Sequence, residues 1–281
     1  MFGMRGVLVM NKRFLLVVLF FVTHITMHAK RVIPEKHFVI VCAGYNNKDW
    51  YRWNLDSLLN QQYSNYHIIY VDDASTDGTA DLVRQYIKEK NAQERVTLIC
   101  NTQNQGALAN HYAVIHSCRD SDIIINVDAD DALAGNWVLN YMNRVYADPT
   151  IWLTYGQFME YPYNRIGFCH AMPVDVVVHN RFRSYQDIPS HMRTFYAGLY
   201  KKIKKEDLMK DGVFFDMDAD IATMFPMIEM ARDHFTFIDR VVYLYNAQNP
   251  INDHKKSKAR QRELDLYIRS LPRYEKIQSP Y

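Results

Sequence analysis

The chain has 281 residues, 48% of them hydrophobic, enough for one large core or two small ones. Its 33 lysines and arginines nearly balance 31 aspartates and glutamates, so a net charge of +2 supplies no bulk field toward nucleic acid, which is not expected as a partner. The four cysteines, Cys42, Cys100, Cys118 and Cys169, lack CxxC-type spacing, which argues against a zinc site.

The first 30 residues read apart from the rest. Lys12 and Arg13 precede FLLVVLFFVTHITM, which is shorter than the ~20 apolar residues a spanning helix needs, and the small Ala29 follows. The pattern predicts a secretory signal peptide over residues 1–30, with a membrane anchor as the alternative. Either one directs the protein to the secretory pathway, the periplasm or a membrane surface; a misjudged start would leave it cytoplasmic. The remaining residues, 31–281, are expected to form the folded domain.

From His37 the pattern alternates. HFVIVCAG predicts a buried strand, DWYRWNLDSLLNQQ a helix, YHIIYVDD a strand, TADLVRQYIKEK an amphipathic helix, and RVTLICN, ALANHYAVIHSC and DIIINVDADD strand, helix and strand again. Such alternation implies right-handed βαβ crossovers and a mainly parallel sheet covered on both faces, an α/β Rossmann-like class. Cys42 and Cys100 fall inside strand runs, where a buried thiol acts as a small hydrophobe. GNWVLNYMNRVYADP predicts a further helix and IWLTYGQF a further strand, after which a polar and aromatic stretch runs to about Ser190. SHMRTFYAGLYKKI reads as a surface helix with a basic end, and the tail from about residue 253 to 271 as a charged helix ended by Pro272.

Ligands of such sheets collect at the carboxyl ends of the strands. Those ends carry Tyr45, Asn46 and Asn47, then Asp72 and Asp73, then Asn101 through Gly106, then Asp128, Asp130 and Asp131. Three carboxylates this close disfavour common ionisation unless something positive offsets them. A divalent cation would do so, since hard oxygen ligands suit Mg²⁺, Mn²⁺ or Ca²⁺. In a partly extended Asp-x-Asp, the first and third side chains share a face, so Asp128 and Asp130 can address one ligand. VDDASTDGT makes a strand, turn and helix start but leaves two adjacent carboxylates, one of which can accept from a base N–H or a ribose hydroxyl.

YNN, VDDASTDGT, NQG and VDADD, in that order after four successive strands, resemble family 2 glycosyltransferases of the GT-A fold. The resemblance covers His37 to Leu133 and extends more loosely to Asn249. It implies a nucleotide-binding half at about 37–135 and a mixed acceptor-side half at about 136–250. The implied enzyme is inverting and metal-dependent (Mn²⁺ or Mg²⁺), of hexosyl- or N-acetylhexosaminyl-transferase type. It would move a sugar from a nucleoside diphosphate sugar, UDP-linked, to a hydroxyl of a glycan, lipid or protein. In that reading Tyr45 and Asn46 line the nucleotide site, and Asp73, with Asp72 as the alternative, contacts the base. Asp128 serves the ribose and shares the metal with Asp130, while Asp131 buttresses the pair or caps the next helix. One departure from the family stands out: Ala109 precedes Asn110 where an arginine is usual, and His111 follows.

Inversion needs a base on the face opposite the diphosphate. FFDMDADIATMFPMIEMA offers Asp216, Asp218 and Asp220 before an apolar helical run, and matching the family's acidic pair makes Asp220 the first choice and Asp218 the second. His191 and Arg193 are candidates for the acceptor or diphosphate floor, and Trp152, Tyr155 and Gln157 for sugar contacts. Two other readings compete. One is an inactive GT-A domain that binds carbohydrate. The other is a haloacid dehalogenase-type phosphatase, against which Ala132 and the mid-chain position of the acidic motif both count.

Overall fold

The structure, a computed structural model, describes residues 33–250 and 257–281. The leader expected over residues 1–30 and the first turn of the expected tail helix lie outside the described residues. Residues Ile33–Tyr281 form one compact unit. Among the described residues no helix is long and apolar enough to cross a membrane.

The predicted alternation is present as β1 (Phe38–Gly44), α1 (Tyr51–Leu59), β2 (Tyr66–Asp72), α2 (Thr79–Glu89), β3 (Val96–Cys100), α3 (Ala107–Ser117) and β4 (Ile123–Asn126). β1 and β4 read as unbroken apolar runs because both their faces are covered: Ile40, Val41 and Ile123–Ile125 have no exposed surface. Leu55 and Leu58 of α1, Val83 of α2 and Ile115 of α3 close the core against them. β1 pairs in parallel with β2 on one side and β4 on the other, and β2 with β3. The crossover direction therefore reverses at β1, the position where a ligand crevice opens.

Beyond β4 the chain forms β5 (Ala132–Leu133), α4 (Val138–Val145), β6 (Leu153–Tyr161), β7 (Arg165–Ile166), α5 (Val174–Val178), β8 (Arg193–Tyr196) and α6 (Ala197–Tyr200). It continues through the hairpin β9 (Met209–Lys210) and β10 (Val213–Phe214), α7 (Ala219–Ala231), β11 (Phe235–Asn246) and α8 (Lys258–Ser270). The large sheet runs β3-β2-β1-β4-β8-β6-β11-β5, with β7 on the flank of β6. β8 lies antiparallel between β4 and β6, while β6 and β11 are parallel.

Two expectations need correction. SHMRTFYAGLYKKI is not a surface helix: Arg193–Tyr196 form a fully buried strand that joins the two halves of the sheet, and only Ala197–Tyr200 turn helically. The β-branched and aromatic Thr194 and Phe195 fill a slot covered on both faces, and tertiary burial overrides the helical spacing. Cys100 is exposed because β3 is the sheet's edge, whereas Cys42 is buried as expected.

α8 starts at Ser257, whose hydroxyl accepts from Arg260 N–H, as an N-cap should. Its far end docks through a buried ion pair. Arg183 Nε and Nη2 donate to both oxygens of Glu229 at 2.7 and 2.9 Å, Arg183 Nη1 donates to the Ile268 carbonyl, and Tyr274 N–H donates to Glu229.

Candidate active site

The acidic turn after β4 is held from three sides. Asn54 of α1 donates its amide to the carbonyls of Asp128 and Asp131 at 3.0 and 2.8 Å, and Asp131 N–H closes the turn on the Asp128 carbonyl. From β11, the Tyr243 hydroxyl donates to Asp131 Oδ2 at 2.7 Å, and Asn246 N–H to Asp131 Oδ1 at 2.6 Å. From below comes the backbone of β1. A Cβ on Gly44 would stand 2.4 Å from the Ala129 methyl, so only glycine lets the turn sit this close to β1.

Asp131 thus buttresses the turn and does not cap α4, whose first turn has no side-chain cap. Burial, then the neighbouring Asp130 and Asp128 charges, push its carboxyl well above the usual range. The smaller, charge part of that shift is the repulsion anticipated from the sequence.

Asp128, Asp131 and His191 bring ligating atoms within 4.8 Å of one another. Two carboxylates and an imidazole fit a divalent cation such as Mn²⁺. The predicted Asp130 is not one of these three. His191 Nδ1 accepts from Arg193 Nη2 at 3.3 Å, which leaves its proton on Nε2, so coordination by His191 requires giving up that contact or that proton. Asp130 is partly exposed beside the same turn, and its Oδ2 accepts from Asn249 at 2.7 Å.

On the nucleotide side the loops brace one another. Asn46 N–H donates to Ser75 and its Oδ1 accepts from Thr76 N–H, Asn47 N–H donates to Thr79, and Tyr45 stays 38% exposed over the crevice. The two adjacent aspartates differ. Asp73 is engaged by the next loop, accepting from Asn101 Nδ2 at 2.7 Å, Gln105 N–H at 2.9 Å and Gly106 N–H at 2.8 Å. Asp72 accepts from Ser75 N–H through Oδ2, while its buried Oδ1 has no hydrogen-bond partner. Asp73 therefore shapes the loop, and Asp72 keeps an acceptor in reserve.

The acceptor-side candidates converge on Arg193. Its guanidinium is buried, Nη1 lies 3.4 Å from Asp220 Oδ2, and Nη2 meets His191 as above. Its charge reaches further: burial, then Arg193, hold the His191 imidazole well below its usual range and push His111 down to about 4, so both rings are neutral. His191 stacks on Tyr243 at 4.5 Å. Asp218 instead stands at the N-cap position of α7 in a left-handed conformation, its side chain making no cap bond and accepting from Gln261 of α8 at 3.1 Å, while Asp216 pairs with Arg260. Of the three acids at the start of α7, Asp220, in its first turn, is the one that faces the acidic turn's neighbours.

Trp152, Tyr155 and Gln157 are not sugar contacts. Trp152 stacks on His234 at 4.0 Å, Tyr155 is buried with its hydroxyl donating to the His170 carbonyl, and Gln157 donates to the Cys169 carbonyl. Sequence reasoning missed Tyr243, Asn246 and Asn249. For Tyr243 and Asn246 the signal was available in the run FTFIDRVVYLYN, a strand ending in a polar residue like the four already read.

Residues 38–219 match the family described as Glycosyl transferase family 2. Over 106 residues the chain is 35% identical to a poly(ribitol-phosphate) beta-glucosyltransferase of Bacillus spizizenii, which covers 37% of this chain and 16% of that protein. Over 100 residues it is 32% identical to an uncharacterised glycosyltransferase of Haemophilus influenzae, covering 36% of this chain and 29% of that one. The matched stretches thus span less than a third of either relative. Among solved structures, S. aureus TarS 1-349 in complex with UDP-GlcNAc superposes with a TM-score of 0.58 at 16% identity, over 76% of this chain and 59% of that one. The mannosyltransferase PcManGT from Pyrobaculum calidifontis, in complex with GDP-Man and Mn2+, gives 0.55 at 20%, over 77% and 58%. The α/β fold is that of these GT-A enzymes, and the chain belongs to glycosyl transferase family 2.

Proposed function

We propose that this glycosyltransferase transfers a hexosyl or N-acetylhexosaminyl group, with inversion, from a UDP-linked donor to a hydroxyl of a glycan, lipid or protein. We place it beside or beyond a membrane, to which its N-terminal segment directs it. The observation that carries the reading is the line from the acidic turn through His191 and Arg193 to Asp220, which sets a cation-binding end and a proton-accepting carboxylate on one crevice.

The donor's base and ribose lie over Tyr45 and Asn46, against Asp72 and Asp128. Asp128, with Asp130 and with Asp131 or His191, would hold a divalent cation, which when bound neutralises the diphosphate. Asp220 accepts the proton of the acceptor hydroxyl as its oxygen bonds to the anomeric carbon; the bond from that carbon to the diphosphate breaks on the opposite face, and its electron pair leaves with the diphosphate. Arg193, 3.4 Å from the Asp220 carboxylate, keeps that base oriented.

The test is release of nucleoside diphosphate from a panel of nucleotide sugars, with and without Mn²⁺ or Mg²⁺. Expected is cation-dependent release that UDP-sugars support best. Saturable donor binding with no release under any condition would favour the inactive carbohydrate-binding reading.

A further inference from the structure

Exposed apolar side chains are not spread evenly over the domain. Of the eleven large ones among the described residues, Tyr161, Tyr163, Ile166, Phe168, Val174 and Val178 all fall between the end of β6 and the end of α5. Val174 and Val178 are 77% and 66% exposed, while Val176 between them is buried, so α5 turns one valine to the core and two to the outside. The segment is pinned to its strand: Gly167 N–H donates to the Phe158 carbonyl, Gln157 to the Cys169 carbonyl, and Tyr155 bonds both His170 and Met172. Its surface is therefore built and held.

Two features say what covers it. The ionic groups here neutralise one another, Arg165 with Glu160 and Arg181 with Asp175, leaving aliphatic and tyrosyl surface with little net charge. Ile166, Val174 and Val178 offer nothing to sugar hydroxyls, but aliphatic groups flanked by tyrosines suit the boundary between acyl chains and headgroups. On the anchor reading of the first 30 residues the sequence itself supplies a reason for a bilayer to be near, since only five residues separate the apolar run Phe14–Met27 from Ile33.

We propose that Tyr161–Val178 is a docking surface for a lipid bilayer. Phe168 meets Phe158 edge-on at 5.6 Å, and Phe158 meets His191 at 5.8 Å, so the docked face borders the candidate site. An acceptor hydroxyl carried on a lipid headgroup would arrive beside Arg193 and Asp220. This choice of acceptor rests on the function proposed above; the docking does not.

The experiment uses the full chain with phosphatidylcholine vesicles, plain or with acyl-chain nitroxide quenchers. One protein carries an environment-sensitive fluorophore at Ile166→Cys in a Cys100→Ser background, the other at native Cys100. Cys100 is exposed at the sheet edge, five strands from β6, or about 24 Å. Expected is a blue shift and quenching at position 166 and neither at Cys100. Equal response at both positions, or failure to sediment with vesicles, overturns the proposal. A shift at 166 that needs no vesicles and fades on dilution overturns it in favour of a second copy of the chain. The triple variant Ile166→Ser/Val174→Ser/Val178→Ser should keep parental release of nucleoside diphosphate from free donor while the label, moved to Tyr163→Cys, loses its quenching. Quenching retained in that variant overturns the docking, whereas absence of donor turnover in the parent would bear on the enzymatic reading alone.

Discussion

Replacing Gly44 by alanine tests whether the position of the acidic turn, and not merely its composition, governs activity. The new methyl would stand 2.1 Å from Asn47 Nδ2 and 2.4 Å from the Ala129 methyl. Carbon atoms in contact prefer ~3.5–4.0 Å, so the turn or the end of β1 must retreat by about 1 Å. Neither neighbour yields easily, because Asn47 is buried and both carbonyls flanking the turn are held by Asn54. Overpacking of this kind costs about 1–3 kcal/mol in stability. A displacement near 1 Å at a reacting group costs on the order of 100-fold in rate. The control is Gly212→Ala in the β9–β10 turn, where φ is +79° and nothing lies within 4 Å of the added methyl. It should lose about 1–2 kcal/mol by backbone strain and keep its kcat. Nucleoside diphosphate release at saturating donor, Mn²⁺ titration and thermal melts on both variants decide the matter. Parental kcat and Mn²⁺ affinity in Gly44→Ala, despite a comparable drop in Tm, would refute the reasoning.

Asp220→Asn should bind donor normally, melt within a few degrees of the parent and transfer at least ~100-fold more slowly, as loss of a general base requires; a normal rate with Asp218→Asn slow instead moves the base to the α7 cap. Asp130→Asn should weaken Mn²⁺ binding by calorimetry with little change in Tm, whereas Asp131→Asn should lower Tm by loosening Tyr243 and Asn246; the reverse pattern assigns the cation to Asp131. Asp73→Ala removes the charged acceptor shared by Asn101 Nδ2 and the N–H groups of Gln105 and Gly106 and should cost about 1.5–3 kcal/mol in urea unfolding, while Asp72→Asn should leave stability intact and weaken nucleoside diphosphate binding. The last prediction is of pH dependence. His111 is held at about 4 when folded, so between the unfolded value of ~6.5 and 4 only the unfolded chain takes up the proton. Stability should fall by about 3 kcal/mol across that window, with no further loss from this group below it, and His111→Gln should flatten the slope in urea titrations at pH 7, 5.5 and 4.5.

The half of the fold built from βαβ crossovers was legible in the sequence because its strands are covered on both faces and read as unbroken apolar runs. β8 was not, because Arg193 and Tyr196 look like surface residues until β4 and β6 close on them. The site divides the same way. Its carboxylates stand at strand ends that the alternation locates, so Asp72, Asp73, Asp128 and Asp130 could be named. The partners that assign their roles come from far away in the chain: Asp131 is held from Tyr243 and Asn246, and Arg193 meets Asp220 only through the packing of α7 against the sheet. The different duties of Asp72 and Asp73 depend on how the loop after β3 folds back, which no spacing encodes.

The ion pair between Arg183 and Glu229 bears on how the protein can be handled at the bench. Glu229 sits near the end of α7, the helix whose first turn carries Asp220, and its carboxylate is shared with the Tyr274 N–H, while Arg183 leans on the Ile268 carbonyl. Trimming residues beyond Ser257 would strip the Ile268 and Tyr274 hydrogen bonds from a wholly buried charge pair, and each hydrogen bond lost to a charged group costs on the order of 1.5–3 kcal/mol. Shortened expression variants would then lose turnover because the helix bearing the base is no longer seated. A deletion series run from that end reports on folding, and substrate recognition is better mapped with substitutions on the exposed face of β6–α5.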